Sequence, residues 1–598
     1  MTTNRRPSLS VALAAALVLV AVSFSSCSRQ SESNINVQIQ LVNAPSTLTV
    51  NQSVSLTASV ANDSSNAGVD WSCGGSGNCG TFNPVHTASG ATTVFTAPSS
   101  VGAVTVTAAA TASSGVKSSA TVSIVAAGPN SMLNGQYVLS VQGYDSNGGY
   151  AAAGTIVADG NGNITGGEQD YSDTSFQSGP NAVTGSYSIG PDGRGSLTLN
   201  ANSLTLPNNG VETFSIAVTS TTHALIIQFD ESATSSGALD FQAPSATDPN
   251  AISGSFAFTA QGVDVGNGVP ITFGGVALMS ASSATVAGTF FENDAGSTSS
   301  SSLVGSLTGP DAFGRGTIAF GNGIDFAYYA VQGQVLRLVE KDVPLYVTGG
   351  SMYGQGSAGL GGSFSNAALS GNYVLSEAGA SVSGSLALAG QFSADGAGNL
   401  TAGVADTNDA GTATFGSIAG QAVYSIAGNG TGTLALPGTS ATTQDVSSLL
   451  VFIVDPALNL LDPNSASGGG GALVMDNDSG TVGSGFILPQ SSGAFQGNYA
   501  VNMSFVNTTG ETDWVGQSAV ASGGLTGTVD VNAYGVTSAG ASLSGTFAPD
   551  ASNLGRWTGA FTLSSTNYSV SCYQVTATLF LIVDTDSADI GTGILESE

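Results

Sequence analysis

The residues best equipped for chemistry are few. Asp159 to Asp170 reads DGNGNITGGEQD, in which Asp and Asn alternate with Gly and a carboxylate closes the stretch. Asp159, Asn161 and Asn163 present oxygens at a spacing that could hold calcium. A calcium site takes six to eight oxygens, and the helix-flanked loop also needs glycine at its sixth place, where this stretch has Ile164. The corresponding stretch from Asp395 to Asp406 reads DGAGNLTAGVAD, with Ala397 where Asn161 stood. What persists is Asp-Gly-x-Gly-Asn, whose residues tolerate the left-handed conformations of a hairpin turn. The stretch is expected to be a turn, with weak calcium binding at Asp159, Asn161 and Asn163 as the alternative. No other metal site and no cofactor is expected.

Glu168 and Asp170 lie two apart and face one side of a strand, and paired carboxylates are the equipment of glycoside hydrolysis. The matching places further on hold Val404 and Asp406, so only one carboxylate recurs. There are two histidines, His86 and His223, and no convincing nucleophile elbow, so a Ser-His-Asp arrangement is not expected. No catalytic residue is assigned. Trp514 and Trp557, in ETDWVGQ and GRWTGAF, are the best candidates for an aromatic ligand-binding surface. Packing inside the last domain is the alternative. Arg194, Arg315 and Arg556 recur at one place in a repeated pattern. Each is expected to pair with a local acid such as Asp192 or Asp311 and stiffen a turn, a contact worth only ~0–1 kcal/mol when exposed.

The N-terminus points to export. Arg5 and Arg6 precede an uncharged apolar run, Leu9 to Phe24, which ends in Phe24-Ser25-Ser26-Cys27. This resembles a bacterial lipoprotein signal. The resemblance implies a signal peptide over 1–26, lipid on Cys27, an anchored linker over 27–35 and membrane attachment through that lipid. Ser28, following the cysteine, implies the outer membrane or cell surface. An ordinary cleaved signal peptide is the alternative. Cys73 and Cys79, in WSCGGSGNCG, are expected to form a disulfide in an oxidising compartment. A metal site there would need more ligands than His86. Cys572 is expected to be a buried small apolar residue.

The formal net charge is -30, with nine Lys and Arg in total. Such a surface repels phosphate backbones, which excludes nucleic acid as a partner. The hydrophobic fraction of 41% is enough to build cores.

These residues must be positioned by strands. Short runs rich in Val, Thr, Leu and Ile are punctuated by Gly, Asn and Asp about every ten residues, and no capped helical period is present. The expected fold is all-β. Residues 36–127 contain six or seven alternating runs, as in a β-sandwich. Val69-Asp70-Trp71, Gly80-Thr81-Phe82 and Thr96-Ala97-Pro98 in this stretch resemble bacterial immunoglobulin-like modules, which implies a core position for Trp71.

The remainder repeats. An apolar-x-Gly-x-aromatic motif occurs around Gly135, Gly254, Gly371 and Gly497, which by subtraction are 119, 117 and 126 apart. A second marker follows it: GRGSLTL, GRGTIAF, GTGTLAL and GRWTGAF, at Gly193, Gly314, Gly430 and Gly555. Each is followed by an apolar run near an acid: ALIIQFD, VLRLVEKD, LLVFIVD and LFLIVD. Two markers at one period give four homologous domains, 133–243, 252–357, 368–480 and 494–598. Each reads as an up-and-down barrel or closely packed antiparallel sheet, and the four as self-contained domains in a row.

The whole resembles tandem β-repeat surface lipoproteins with an N-terminal immunoglobulin-like domain. That implies a non-enzymatic protein for adhesion, envelope architecture or surface binding, with a polysaccharide or surface protein as partner. The alternative is a carbohydrate- or small-ligand-binding protein. A hydrolase is the remaining reading.

Overall fold

Alternation along the opening strand of each repeat sets the architecture. In Asn134–Asp145, Tyr137, Leu139 and Val141 point into a barrel core, while Ser140 and Gln142 point out of it into a shared cavity. The period of two puts successive side chains on opposite faces. Both faces are used, because both become covered.

The computed structural model describes residues 37–597 except 51, 76–77, 126–129, 202, 204–205, 281–282, 343–344, 419–422 and 437–445. The signal segment and Cys27 lie outside the described residues. The described chain is all-β, with one six-residue α-helix, Gly356–Gly361.

The N-terminal unit has two sheets. One is ordered Gln38–Val42, Ser53–Ala61, Thr92–Thr96, Thr81–Asn83; the other Thr47–Thr49, Ser113–Val125, Gly102–Ala110, Val69–Gly75, His86–Thr87. Leu56, Trp71, Phe82, Phe95, Val106 and Val122 form its core. The Trp71 indole donates to Thr87 Oγ1 at 3.0 Å, so the buried N–H is satisfied. Cys73 and Cys79 are disulfide-bonded.

The second and fourth repeats are closed eight-stranded barrels, running from Gly254–Asp264 to Tyr346–Gly354 and from Gly497–Asn507 to Ile590–Ser597. In the first, Asn163–Asp173 pairs with both Gly148–Asp159 and Thr184–Ile189, which closes the sheet, and Gln177–Ala182 is an added strand. In the third, Ser370–Ser381 and Thr481–Pro489 are neighbours in a nine-stranded sheet whose edges meet at one bridge, Asn399 to Val423. The sheet therefore continues past residue 480. LLVFIVD is also displaced by one strand from its expected place. It forms Ser448–Val454, and the counterpart of His223–Gln228 is Gly471–Asp476. The cause is an insertion, residues 455–470, where the other repeats have tight turns.

The repeats do not form a row. The second strand of each packs on the last two strands of the next. Gly148–Asp159 lies on Val335–Glu340 and Tyr346–Gly354, and Val269–Ser280 lies on Gly471–Asp476 and Thr481–Pro489. Gly384–Asp395 lies on Leu579–Asp584 and Ile590–Ser597. Gly510–Ala521 of the fourth repeat then lies on His223–Gln228 and Ala233–Phe241 of the first. The same heterologous contact occurs four times and closes into a ring. Gly274 shows how near the neighbours come. A Cβ there would sit 2.7 Å from Met475 Sδ and from Phe452 Cε2, both in the third repeat.

The recurrent arginines hold these joints. They pair across repeats as well as within turns, which corrects the local reading. Arg315 donates to Asp170 of the first repeat through Nε at 2.5 Å and Nη2 at 3.0 Å, and the Tyr329 hydroxyl donates to the same carboxylate at 2.7 Å. Arg556 donates to Asp406 of the third repeat through Nε and Nη2, both at 2.7 Å, with the Tyr573 hydroxyl at 2.5 Å. Arg194 keeps its local partner Asp192 at 2.9 Å and reaches Asp530 of the fourth repeat at 3.6 Å. The second-to-third joint has no charge at this place. Thr431 replaces the arginine, Phe452 replaces the tyrosine beside it, and Phe291 replaces the aspartate. The two phenyl rings meet with centroids 5.7 Å apart.

Buried asparagines close the edges. The side-chain amides of Asn293, Asn408 and Asn532 donate to strand-end carbonyls of the next repeat, those of Thr481, Asp584 and Gln228 among them, at 2.8–3.1 Å.

Two outcomes follow. Small-angle scattering of the lipid-free chain should give a radius of gyration near the ~24 Å of one compact body of this length, whereas a row of domains would give about twice that. Asp406→Ala strands the buried Arg556 guanidinium and the Tyr573 hydroxyl, and should cost ~3–5 kcal/mol in chemical denaturation.

Candidate functional site

The ring encloses a cavity on its axis, and equivalent positions of the four repeats line it. The outward residues of the opening strands form layers. Ser140, Thr259, Ser376 and Asn502 make one, and Gln142, Gln261, Ala378 and Ser504 the next. Tyr144, Val263, Ala380 and Val506 make a third. The cavity has two chambers, about 400 Å³ and about 380 Å³. Gln142, Ser236, Gln261, Gly349, Ala378 and Thr592 border both and form the waist between them. Each chamber lies in the ~300–1,000 Å³ range of small-molecule sites.

The insertion at 455–470 lies over the first chamber as a strap. Leu460 and Leu461 line the chamber. Leu460 O accepts from Tyr353 Oη at 2.6 Å, Pro463 O from Gln332 at 3.0 Å, and Asn464 donates to Phe241 O at 2.9 Å. The strap thereby binds both the first and the second repeat.

One wall of the first chamber carries a charge network. His223 Nδ1 and Asp240 Oδ1 are 2.8 Å apart, and His223 Nε2 lies 3.3 Å from Glu596 Oε2 of the fourth repeat. Arg337 Nη2 donates to Asp240 Oδ2 at 2.6 Å, and its Nη1 donates to Ser351 Oγ at 2.9 Å and Tyr353 Oη at 2.8 Å. Burial opposes the charge on His223, but Glu596 and Asp240 outweigh it and raise its pKa well above the ordinary histidine value. Burial also works against ionised Asp240, and Arg337 and His223 overcome it, so the Asp240 pKa is lowered. Two cations thus contact two carboxylates, and Asp462 of the strap lies within electrostatic reach of His223, Glu596 and Asp240. The rest of the chamber offers hydroxyls, amides, leucines and one more carboxyl, Glu377, which burial first and Asp476 second raise well above the carboxylate range. Ser236 donates to Asn502 Oδ1 and Ser484 to Gln261 Oε1, each at 2.8 Å. The Asn502 amide nitrogen has no hydrogen-bond partner among the described residues.

The second chamber is different. Glu511 and Asp513, at 7% and 0% exposure, occupy places where the other repeats have Gly149 and Ala151, Pro270 and Thr272, Ser385 and Ala387. Glu511 Oε1 accepts from Ser504 Oγ at 3.3 Å, while Glu511 Oε2 and both Asp513 oxygens have no hydrogen-bond partner among the described residues. Burial first, and Asp513 second, raise the Glu511 pKa well above the carboxylate range. Burial pushes Asp513 up to about 8.

Other residues singled out from the sequence lie elsewhere. Asp159 accepts from the Asn161 N–H at 2.7 Å, the Asn163 N–H at 3.0 Å and the Asn163 side-chain amide at 2.7 Å. Asp395 repeats this with Ala397 and Asn399, and the Asn399 side chain leads the bonds that hold its pKa down to about 2. The carboxylate is thus committed to the turn. Trp514 is wholly buried between Phe505 and Tyr568, with ring centroids at 4.9 and 4.6 Å, so it offers no face to a ligand. Trp557 is half-buried against Phe495. Glu168 and Asp170 are not a free pair, since Asp170 is spent on Arg315. Among the described residues no group of three or more His, Cys, Asp and Glu could hold a metal. Sequence reasoning missed His223, Arg337 and Glu511 as neighbours of one cavity. Arg337, a cation inside the apolar run VLRLV, was the available signal.

No protein-family model matches the chain, and no curated protein sequence matches it. Three solved structures share some strand geometry. A tryptophan-to-alanine mutant of the vaccine antigen transferrin binding protein B from Haemophilus parasuis aligns at 9% identity over 78% of this chain and 96% of that one, with TM-score 0.18. Intact Ap-TbpB, with N and C lobes, aligns at 8% over 78% and 95%, TM-score 0.18. Kievitone hydratase from Nectria haematococca aligns at 11% over 59% and 91%, TM-score 0.16. Likeness this slight carries neither arrangement nor function across.

The buried carboxyls set a pH dependence. Burial raises Glu212 and Asp476 to about 7 and Glu340 and Asp584 to about 8. The folded chain holds these protons where the unfolded chain, with carboxyls near ~4, releases them. Their stabilisation is full below the unfolded values and is lost as pH rises through about 7 to 8. Thermal melting should therefore be higher at about pH 5 than at about pH 8.5.

Proposed function

We propose that this chain is a non-enzymatic, lipid-anchored surface protein that binds a small ligand on the axis of its repeat ring. One observation carries the reading: equivalent positions of all four repeats converge on a single cavity. In a row, each repeat would keep its own surface and add avidity. In the ring, the outward faces of the opening strands are turned inwards, and four copies build one site. The resemblance of the N-terminal run to a lipoprotein signal supports the anchor at Cys27, and that of residues 36–127 to immunoglobulin-like modules supports a spacer between anchor and ring.

The charge network supports binding over catalysis. His223 sits between two carboxylates that favour its protonated form, which works against a role as general base.

The test is a thermal-shift screen of small polar molecules on the lipid-free chain, beside Ser376→Phe, which fills the first chamber. A ligand at a hundred times its dissociation constant stabilises by ~2.7 kcal/mol. Hits should stabilise the wild type and lose at least tenfold in affinity for the variant. Hits that bind both proteins equally would place binding on the outer faces.

A further inference from the structure

The fourfold pattern is broken most sharply in the second chamber. Three repeats fill the places of Glu511 and Asp513 with glycine, alanine, proline, threonine or serine. The fourth puts Glu511 on the chamber wall and Asp513 two residues on, outside the lining; both are buried, and Ser504 donates to Glu511 Oε1. Unpaired buried acids are costly, and small neutral residues fit the same frame three times over. Of the other deeply buried acids, Glu340 and Asp584 line neither chamber, while Glu377 borders the first and faces a second acid, Asp476.

The groups facing Glu511 are Asp513 on its own strand, the Ser504 hydroxyl, and the Tyr144 backbone N–H with the phenols of Tyr144 and Tyr150 on the opening hairpin of the first repeat. No salt bridge of the described residues reaches Glu511 or Asp513. Tyr144 is 42% exposed, so its ring meets both chamber and solvent. Val263, Leu386, Val506 and Ile590 supply apolar walls. The hydroxyl of Thr272, across the chamber in the second repeat, is 1% exposed and has no hydrogen-bond partner among the described residues.

We infer that the second chamber takes a small organic cation, an ammonium group on a short apolar body, with Glu511 as its counter-charge. This rests on the reading of the axis as a ligand site. The ammonium is set against Glu511, where a tyrosine face can add a cation–π contact. The apolar body lies against the valines, leucine and isoleucine. On binding, Glu511 gives its proton to solvent and becomes the carboxylate that the ligand pairs with. The chain's charge of -30 draws cations towards the opening. A calcium ion is the poorer fit, because it takes six to eight oxygens and the lining offers one carboxyl with the hydroxyls of Ser504 and Thr272.

The test is calorimetry of the whole lipid-free chain with choline and with butylammonium, against dimethylbutanol, the uncharged isostere of choline. A cation should bind at least tenfold more tightly than the isostere. Its heat should vary with the ionisation enthalpy of the buffer, which reports the released proton. Glu511→Gln should abolish that variation and weaken cation binding at least tenfold, while melting no lower than wild type. Equal binding of choline and its isostere, with both lost in Ser376→Phe, would overturn the cation assignment and leave the axial site standing. Binding unaffected by either substitution would overturn both. Absence of binding by both cations at millimolar concentration, or proton release to calcium chloride instead, would also overturn the assignment.

Discussion

The closure of the fourth repeat on the first is the constraint from which the rest follows. An eight-stranded barrel in water needs one apolar face, the inner one. Here the second strand and the last two strands of each repeat are covered on the outside as well. Their outer residues can be alanine, valine or glycine only because a neighbour lies against them. Val138, Ala257, Val374 and Phe452 belong to one apolar cluster that includes residues of all four repeats. Opening any of the first three joints would expose part of that cluster, and opening the fourth would expose Ala217, Leu225, Ile227, Ala500 and Val515, so the repeats are cooperative parts of one body.

The joints show how one geometry accepts different chemistry. At two of them a buried arginine, a tyrosine hydroxyl and an aspartate satisfy one another. At a third, all three members are exchanged together for threonine and two phenylalanines. A single exchange would leave a buried charge or an unpaired hydroxyl, and such orphans cost more than the intact network contributes. That the three positions change as a set is what a physical contact between repeats requires.

Much of this was legible in the sequence. The apolar-x-Gly-x-aromatic motif gave the repeats, and alternation gave strands with two faces. The longer third interval, 126 against 117 and 119, already held the strap as an insertion. The ring was not legible. Its contacts are made by outward residues, which in an isolated barrel are simply polar or small, as with Ser140, Ala153 and Gly274. Arg194, Arg315 and Arg556 stood out, but their partners are a repeat away. Only the strand register shows that Thr431 and Phe291 answer each other. The axial cavity depends on closure, so its residues could not be grouped before the ring was known. Trp514 misled for a related reason: its composition suggested a platform, and its place in the alternation turned it inwards.

Closure also bears on how such a gene can change. Arrays of similar units commonly lengthen and shorten by unequal recombination, and a string of beads tolerates either. A ring does not. The rotation from one repeat to the next is fixed by the packing of strand on strand, and four steps complete the circle. Three units would leave an unfilled arc and exposed alanine and valine faces; five would have no room for the last joint. The copy number is therefore written into the angle at each interface, and point substitution, as at Glu511, is the route left open for the copies to diverge.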